Sequence, residues 1–295
     1  MFRHLLLAAA LTNALFTASA SKAQTKTVVK EYTRADFINV EGATLNDKLT
    51  RAVAQCRAAK LSEACWLAWH FPVRDNTRAG EFHGFYYRDD DGIKLERRED
   101  PKLTAVFLLA DITASPTNFK RVKTLNLGEP YVFENHPVYW LGDIEANQSI
   151  AQLDTLQREA NPEAKPESKT EAARARSALR AIGSHDSPRA LSLLKDASKS
   201  TNAEIRGTAL SSLGNLKLAE ADAVLIELFE QSADETIKEE VVRRLGYSES
   251  RQALDKLQAI AQRDASARLR KAAVRQLSRS NGASFDGAGS WGNDE

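Results

Sequence analysis

Two cysteines, Cys56 and Cys65, and four of the five histidines, His70, His83, His136 and His185, carry the side chains best suited to bond a metal, activate a nucleophile or close a disulfide. The cysteines lack the CxxC spacing of a zinc or redox site, and in an oxidising compartment so close a pair most often forms a structural bridge, Cys56 to Cys65. Such a short loop would contribute roughly 2 to 3 kcal/mol through the entropy of the unfolded chain. A zinc site from His70, His83 and a cysteine would need residues that meet only in the fold, because no HExxH and no paired CxxC is present. Asp89, Asp90 and Asp91 before Gly92 lack the alternating oxygens and distant Glu of a calcium loop and read as a turn. Gly287, Gly289 and Gly292 spell GxGxxG with neither a strand before nor a helix after to hold a pyrophosphate. GxSxG is absent, and no serine or cysteine has a local activating context. The expectation is therefore no catalytic residue, no metal and no cofactor.

Two kinds of element would have to position any site. Leu45, Leu49, Ala52, Val53 and Cys56 recur at helical intervals behind Asn46 and Asp47, which predicts one amphipathic helix. In "CWLAWHF" the residues Cys65, Leu67, Trp69 and Phe71 alternate with Trp66, Ala68 and His70, the period of a strand, and Pro72 stops it. "EFHGFYYR" and "GIKLERRE" flank "DDDG" as one hairpin, and "TAVFLLADI" and "RVKTLNL" form a second through Pro116 and Asn118. Residues 27–130 thus read as a small α+β domain, an antiparallel sheet with one helix packed on it. The aromatic residues Trp66, Trp69, Phe71, Phe82, Phe85, Tyr86 and Tyr87 divide between the sheet faces. Core packing, docking on the following region and a ligand face are open alternatives for them, with Tyr139 and Trp140 as candidate junction contacts.

The start of the chain bears on compartment. Arg3, an apolar run from Leu5 to about Phe16 and small residues at Ala18 and Ala20, or Ser21 and Ala23, have the layout of a secretory signal, with cleavage expected after Ala20 or Ala23. Residues 1–23 are assigned to it. The run is shorter than the ~20 apolar residues a spanning helix needs, so the expectation is an exported protein, periplasmic or secreted, with no stable membrane span after cleavage. With 41 basic and 40 acidic residues well mixed, no net field draws the chain to nucleic acid.

The remainder repeats. "ALSSLG", "VVRRLG" and "AVRQLS" return at an even interval, so that Ile205, Ala209, Leu210 and Leu213 correspond to Ile237, Val241, Val242 and Leu245, and these to Leu269, Ala273, Val274 and Leu277. A second helix keeps step: Ala190, Leu194 and Ala197, then Ala221, Leu225 and Leu228, then Ala253, Leu257 and Ile260. The frame extends back to Leu141, Gly142, Ser149, Leu153 and Leu156, which places the start of the array near Glu134, with a longer loop at "NPEAKPESKT". Glycines at Gly142, Gly183, Gly214 and Gly246 suit left-handed helix closure. Short helix pairs cannot hide their apolar faces alone and must stack into one elongated core. Residues 131–280 are therefore read as an all-α solenoid ending in a polar cap, and 281–295 as a mobile tail.

"AEIRGTALSSLG" and "TIKEEVVRRLG" resemble HEAT repeats, specifically the short phycobilisome-lyase-like variety. The resemblance implies a right-handed superhelix of antiparallel helix pairs, with Arg206, Lys238 and Arg270 at the family's basic position. The unit before departs, with Ala175 there between Arg174 and Arg176. It also implies a non-catalytic scaffold that binds protein partners in the cell envelope. The expected partner-facing residues lie on the second helices: Arg189, Lys195, Glu220, Glu227, Arg251 and Lys256. The competing expectation is an enzyme or a small-ligand or metal-binding protein with its site in the N-terminal sheet, using His70 or His83. Attachment of a bilin pigment, which the lyase-like name would suggest, has no supporting context here.

Overall fold

The computed structural model describes residues 31–73, 104–128, 131–159, 169–216 and 218–283. The N-terminal apolar segment, the hairpin expected around Asp89, and with it His83, Phe82, Phe85, Tyr86 and Tyr87, lie outside the described residues, as does the chain after Ala283.

Strand β1 (Glu31–Tyr32) leads through a single 3-10 turn to β2 (Ile38–Asn39). Helix α1 (Leu45–Ala59) follows, started by a reciprocal cap in which Thr44 Oγ1 accepts from Asp47 N and Asp47 Oδ2 accepts from Thr44 N, both at 3.2 Å. Its expected stripe, Leu45, Leu49, Ala52, Val53 and Cys56, is the buried one. Strands β3 (Ala64–His70), β4 (Thr104–Asp111) and β5 (Asn118–Asn126) pair in antiparallel succession. After β6 (Tyr131–Val132), which pairs with β1, the chain forms β7 (Val138–Asp143), and the main sheet runs β2-β7-β3-β4-β5.

Two expectations change here. The sheet is mixed, not antiparallel, because β7 lies parallel to both β2 and β3. A helical crossover returns the chain in its original direction, and α1 carries it from β2 to β3 in this way, leaving between them a slot that β7 fills. The array also starts later than Glu134. Val138, Tyr139, Trp140 and Leu141 are buried in strand conformation, where β-branched and aromatic residues pack well on both sides of a central position. Helices begin at α2 (Ala146–Glu159), on which Ser149, Leu153 and Leu156 are buried as the repeat frame requires.

From there the chain is helical: α3 (Lys169–Gly183), α4 (Pro188–Ala197), α5 (Ala203–Asn215), α6 (Ala219–Gln231), α7 (Glu235–Leu245), α8 (Arg251–Arg263) and α9 (Ala267–Ala283). The last helix runs past the expected tail boundary. The first helices of the pairs, α3, α5, α7 and α9, pack on one another in order and form one layer, while α2, α4, α6 and α8 form the other. Leu213 and Leu245 are fully buried in one cluster on which Leu277 packs, the common spine the repeat predicts.

That cluster also contains Leu67, Trp69, Val106, Leu108 and Val122 from one face of the sheet. The solenoid and the sheet therefore share a core, and the sheet seals the end of the array that would otherwise expose apolar surface to water. The opposite face carries a separate cluster in which Trp66 and Phe107 meet Phe37, Phe133 and Trp140. Trp66, Trp69 and Phe71 are all core residues, divided between the faces by alternation. Tyr139 faces the shared core, but Trp140 lies on the other side, under Arg34 at 4.4 Å, and is no junction contact.

Candidate functional site

Where sheet meets solenoid, three buried polar side chains form a single relay. The Trp69 indole N–H donates to Ser149 Oγ at 2.8 Å, and Ser149 Oγ lies 2.7 Å from His185 Nε2. His185 Nδ1 lies 2.7 Å from the Ala181 carbonyl, which can only accept, so Nδ1 carries the proton and Nε2 accepts the serine hydroxyl. The imidazole stacks on Phe71 with centroids 3.8 Å apart at 16°. Backbone bonds fix the same corner: Asp186 N donates to Pro72 O at 3.1 Å, and Val73 bridges to His185.

A serine within hydrogen-bond reach of a histidine is the geometry of an activated nucleophile. Here both side chains are wholly inaccessible, and the serine oxygen is already occupied by an indole. Burial pushes the His185 pKa down to about 4, so the ring is neutral at pH 7. The relay locks the array to the sheet and presents nothing to a substrate. Sequence inspection singles out neither Ser149 nor His185 for this role, because the partners come from β3, α2 and the α3–α4 turn.

A second anchor is Arg174 on α3, also buried, which donates to Phe119 O at 2.6 Å and to Asn118 Oδ1 at 3.3 Å and so fastens the array to strand β5. The other described histidines are dispersed. His70 pairs with the exposed Asp143 at 3.0 Å, and His136 Nδ1 bonds Ser62 Oγ at 2.6 Å. Among the described residues no three His, Cys, Asp or Glu side chains are placed to hold a metal ion.

Cys56 on α1 and Cys65 on β3 are brought together in the core but are separate thiols, so the expected bridge is not formed in this structure. They lie against each other and near the Tyr139 hydroxyl. Desolvation pushes both thiols up, and the Tyr139 phenol to about 12. Since the thiolate is the reactive species, alkylation of the reduced, folded chain by iodoacetamide is expected to be about a hundredfold slower than in denaturant, followed by mass spectrometry. Equal rates in the two conditions would show that the pair is accessible.

The six expected partner-facing residues fall on α4, α6 and α8. Lys195 pairs with Glu227 at 2.6 Å, bridging two repeats, and Lys256 pairs with Glu230 across the next interval. Arg251 pairs within its own helix with Asp255 at 2.8 Å. Arg189 and Glu220 are exposed. Half of this face thus stitches neighbouring second helices together. The family's basic position has a structural task too: Arg206 donates to Ser200 O and Thr201 O at 2.7 and 3.2 Å, and Arg270 to Asp264 O and Ala265 O at 2.7 and 3.0 Å. Each closes the loop that enters its own helix. Lys238 sits instead over the Phe229 ring at 5.0 Å.

Comparison with known proteins agrees with the repeat. Residues 167–245 match the family described as HEAT repeats, and the chain therefore carries them. No curated protein matches. Among solved structures, human deoxyhypusine hydroxylase in complex with glycerol is similar at 20% identity and a TM-score of 0.36, over 44% of this chain and 43% of that one. The likeness spans less than half of that protein's length.

Proposed function

We propose that this chain, carrying HEAT repeats, is a non-catalytic exported scaffold that binds protein partners in the cell envelope. The observation that supports the reading best is the two-layer array of the described helices, closed at one end by the sheet, whose second helices offer a long charged face. Its reactive groups point the same way. The serine–histidine pair is spent on holding the array to the sheet, and the thiols are sealed in the core. Export follows from the signal-like N-terminus, and it gives the cysteines a consequence. Two thiols this deeply buried would have to be oxidised before or during folding, because afterwards no oxidant reaches them.

Arg189, Glu220 and Arg251 are the members of the face that make no bridge between repeats among the described residues. Crosslinking capture from intact envelopes should therefore lose its specific partners in the triple variant Arg189→Glu, Glu220→Lys, Arg251→Glu, while helical circular dichroism is unchanged. The mature N-terminus of the captured chain should be Ser21 or Gln24. Undiminished capture would reject the second-helix face, and an intact Met1 in a cytosolic fraction would reject export.

A further inference from the structure

The open end of the array shows a pattern that the stacked repeats make readable. Arg176 on α3 pairs with Glu204 in the first turn of α5. At the same repeat positions, Glu239 on α7 pairs with Arg268 in the first turn of α9. One residue of each of these first helices thus holds an opposite charge at the start of the helix stacked on it. The apolar position beside it behaves consistently: Leu210 is 1% exposed and Val242 0%, each covered by the following helix.

On α9 the residues at these two positions are Lys271 and Val274. Val274 is 51% exposed, and among the described residues no helix of the array follows. Arg275 and Arg279 continue the stripe at helical spacing, and α9 contains no acidic residue. Lys271, Arg275 and Arg279 are exposed and make no ion pair or hydrogen bond with other described residues, whereas Arg268 and Arg270 are occupied by Glu239 and by loop carbonyls. A second copy stacked cap to cap would set two such basic faces against each other, which charge repulsion opposes. Ser278 also stands where Gly214 and Gly246 let the next helix approach closely, so an occupant sits slightly farther off and is held more by charge than by interdigitation.

We propose that the exposed face of α9 is a docking site for an acidic amphipathic helix of a partner protein, laid where a further first helix would stack. Its acidic first turn meets Lys271, an apolar residue covers Val274, and further acids face Arg275 and Arg279. The site is separate from the second-helix face, and its test does not depend on that face.

The probe is a fluorescein-labelled stapled helix with Glu in its first turn and alternating Leu and Glu along one side. Its Lys-for-Glu counterpart is the control, and both are titrated by anisotropy against the full chain. The Glu helix is expected to bind, more weakly as salt rises, and to lose at least about tenfold in affinity with Lys271→Glu/Arg275→Glu. That variant should instead capture the Lys helix, a swap that damage to the fold could not produce. Val274→Asp should weaken the Glu helix with the melting curve unchanged. Failure of the Glu helix to bind, equal binding of both helices, or indifference to the charge swap would overturn the proposal. Tighter binding after Asp286→Asn/Asp294→Asn/Glu295→Gln would overturn it in favour of the chain's own acidic end as occupant. A concentration-dependent dimer in light scattering, abolished by Val274→Asp, would overturn it in favour of a second copy.

Discussion

Replacement of His185 by alanine is expected to lower unfolding stability by about 3 to 5 kcal/mol, the range for removing a large buried aromatic group. The substitution deletes the ring stacked on Phe71 and leaves the buried Ser149 O–H without its acceptor, while the Ala181 carbonyl keeps the Ser184 N–H. Each buried polar group left unsatisfied costs about 1 to 3 kcal/mol, so the cavity alone understates the effect. The loss falls at the corner where Val73 and Pro72 meet the α3–α4 turn, and the array should loosen from the sheet before the repeats themselves unfold. Urea unfolding followed by tryptophan fluorescence, to which Trp69 at the junction contributes together with Trp66 and Trp140 of the sheet and Trp291, should therefore show a midpoint below that of the helical circular dichroism. Coincident midpoints and a loss under about 1 kcal/mol would show that the relay does not anchor the junction.

The same residue sets an acid sensitivity. In the folded chain the imidazole titrates near 4, while in the unfolded chain it takes a proton near the ordinary histidine value of about 6.5. The unfolded state therefore binds more protons between those values. The contribution is fully present above about pH 6.5 and is lost progressively as pH falls through 4, on the order of 3 kcal/mol in all. His185→Gln, which keeps a polar side chain but does not titrate, should flatten the dependence of the urea midpoint between pH 7 and pH 5. An equally steep dependence in that variant would assign the acid sensitivity to other groups.

The residues legible in the sequence are those whose partners are local or periodic. Leu213, Leu245 and Leu277 announce a shared spine because a stacked array imposes the same environment at each turn of the frame. The alternation from Cys65 to Phe71 announces two sheet faces for a similar reason. The junction is not legible: Trp69, Ser149 and His185 come from three elements, and no local pattern links an indole to a serine on another layer. Val138 to Leu141 mislead the repeat frame because a leucine in register is compatible with either element. The neighbours β2 and β3 decide in favour of a strand, and β2 is only two residues long. The frame assigns the expected partner-facing residues to second helices, where they lie, but charge alone does not distinguish a free side chain from Lys195 or Lys256, already bound to the next repeat.

The glycines of the array illustrate the difference between a recognised pattern and its cause, and they carry the second large effect. Gly246 ends α7 in ordinary right-handed geometry, φ −65°, and so does not serve as a left-handed cap. What its position requires is proximity. A methyl group placed there would lie 2.7 Å from Gln276 Cβ and Cγ and 2.5 Å from its Oε1. The Oε1 can swing away, but the Cβ is fixed to the α9 backbone, so the helix itself must move. Gly214 stands in the same relation to Arg244, at 2.9 Å from its Cβ. Gly246→Ala is therefore expected to cost about 1 to 3 kcal/mol by overpacking, and Gly214→Ala somewhat less. Because neighbouring repeats support one another in series, the Gly246 variant should show its loss as fast amide exchange confined to α9, with α5 still protected. Gly207, inside α5, provides the opposite case, since a methyl group there would meet nothing within 4 Å. Alanine at that position removes chain entropy without a clash and should stabilise by roughly 0.5 to 1 kcal/mol. Pairing Gly246→Ala with Gln276→Gly, which deletes the opposing Cβ, should recover part of the cost beyond the sum of the single changes. Additive losses in that cycle, or the same sign at Gly207 and Gly246, would mean that close approach between first helices is not what sets the stacking of the array.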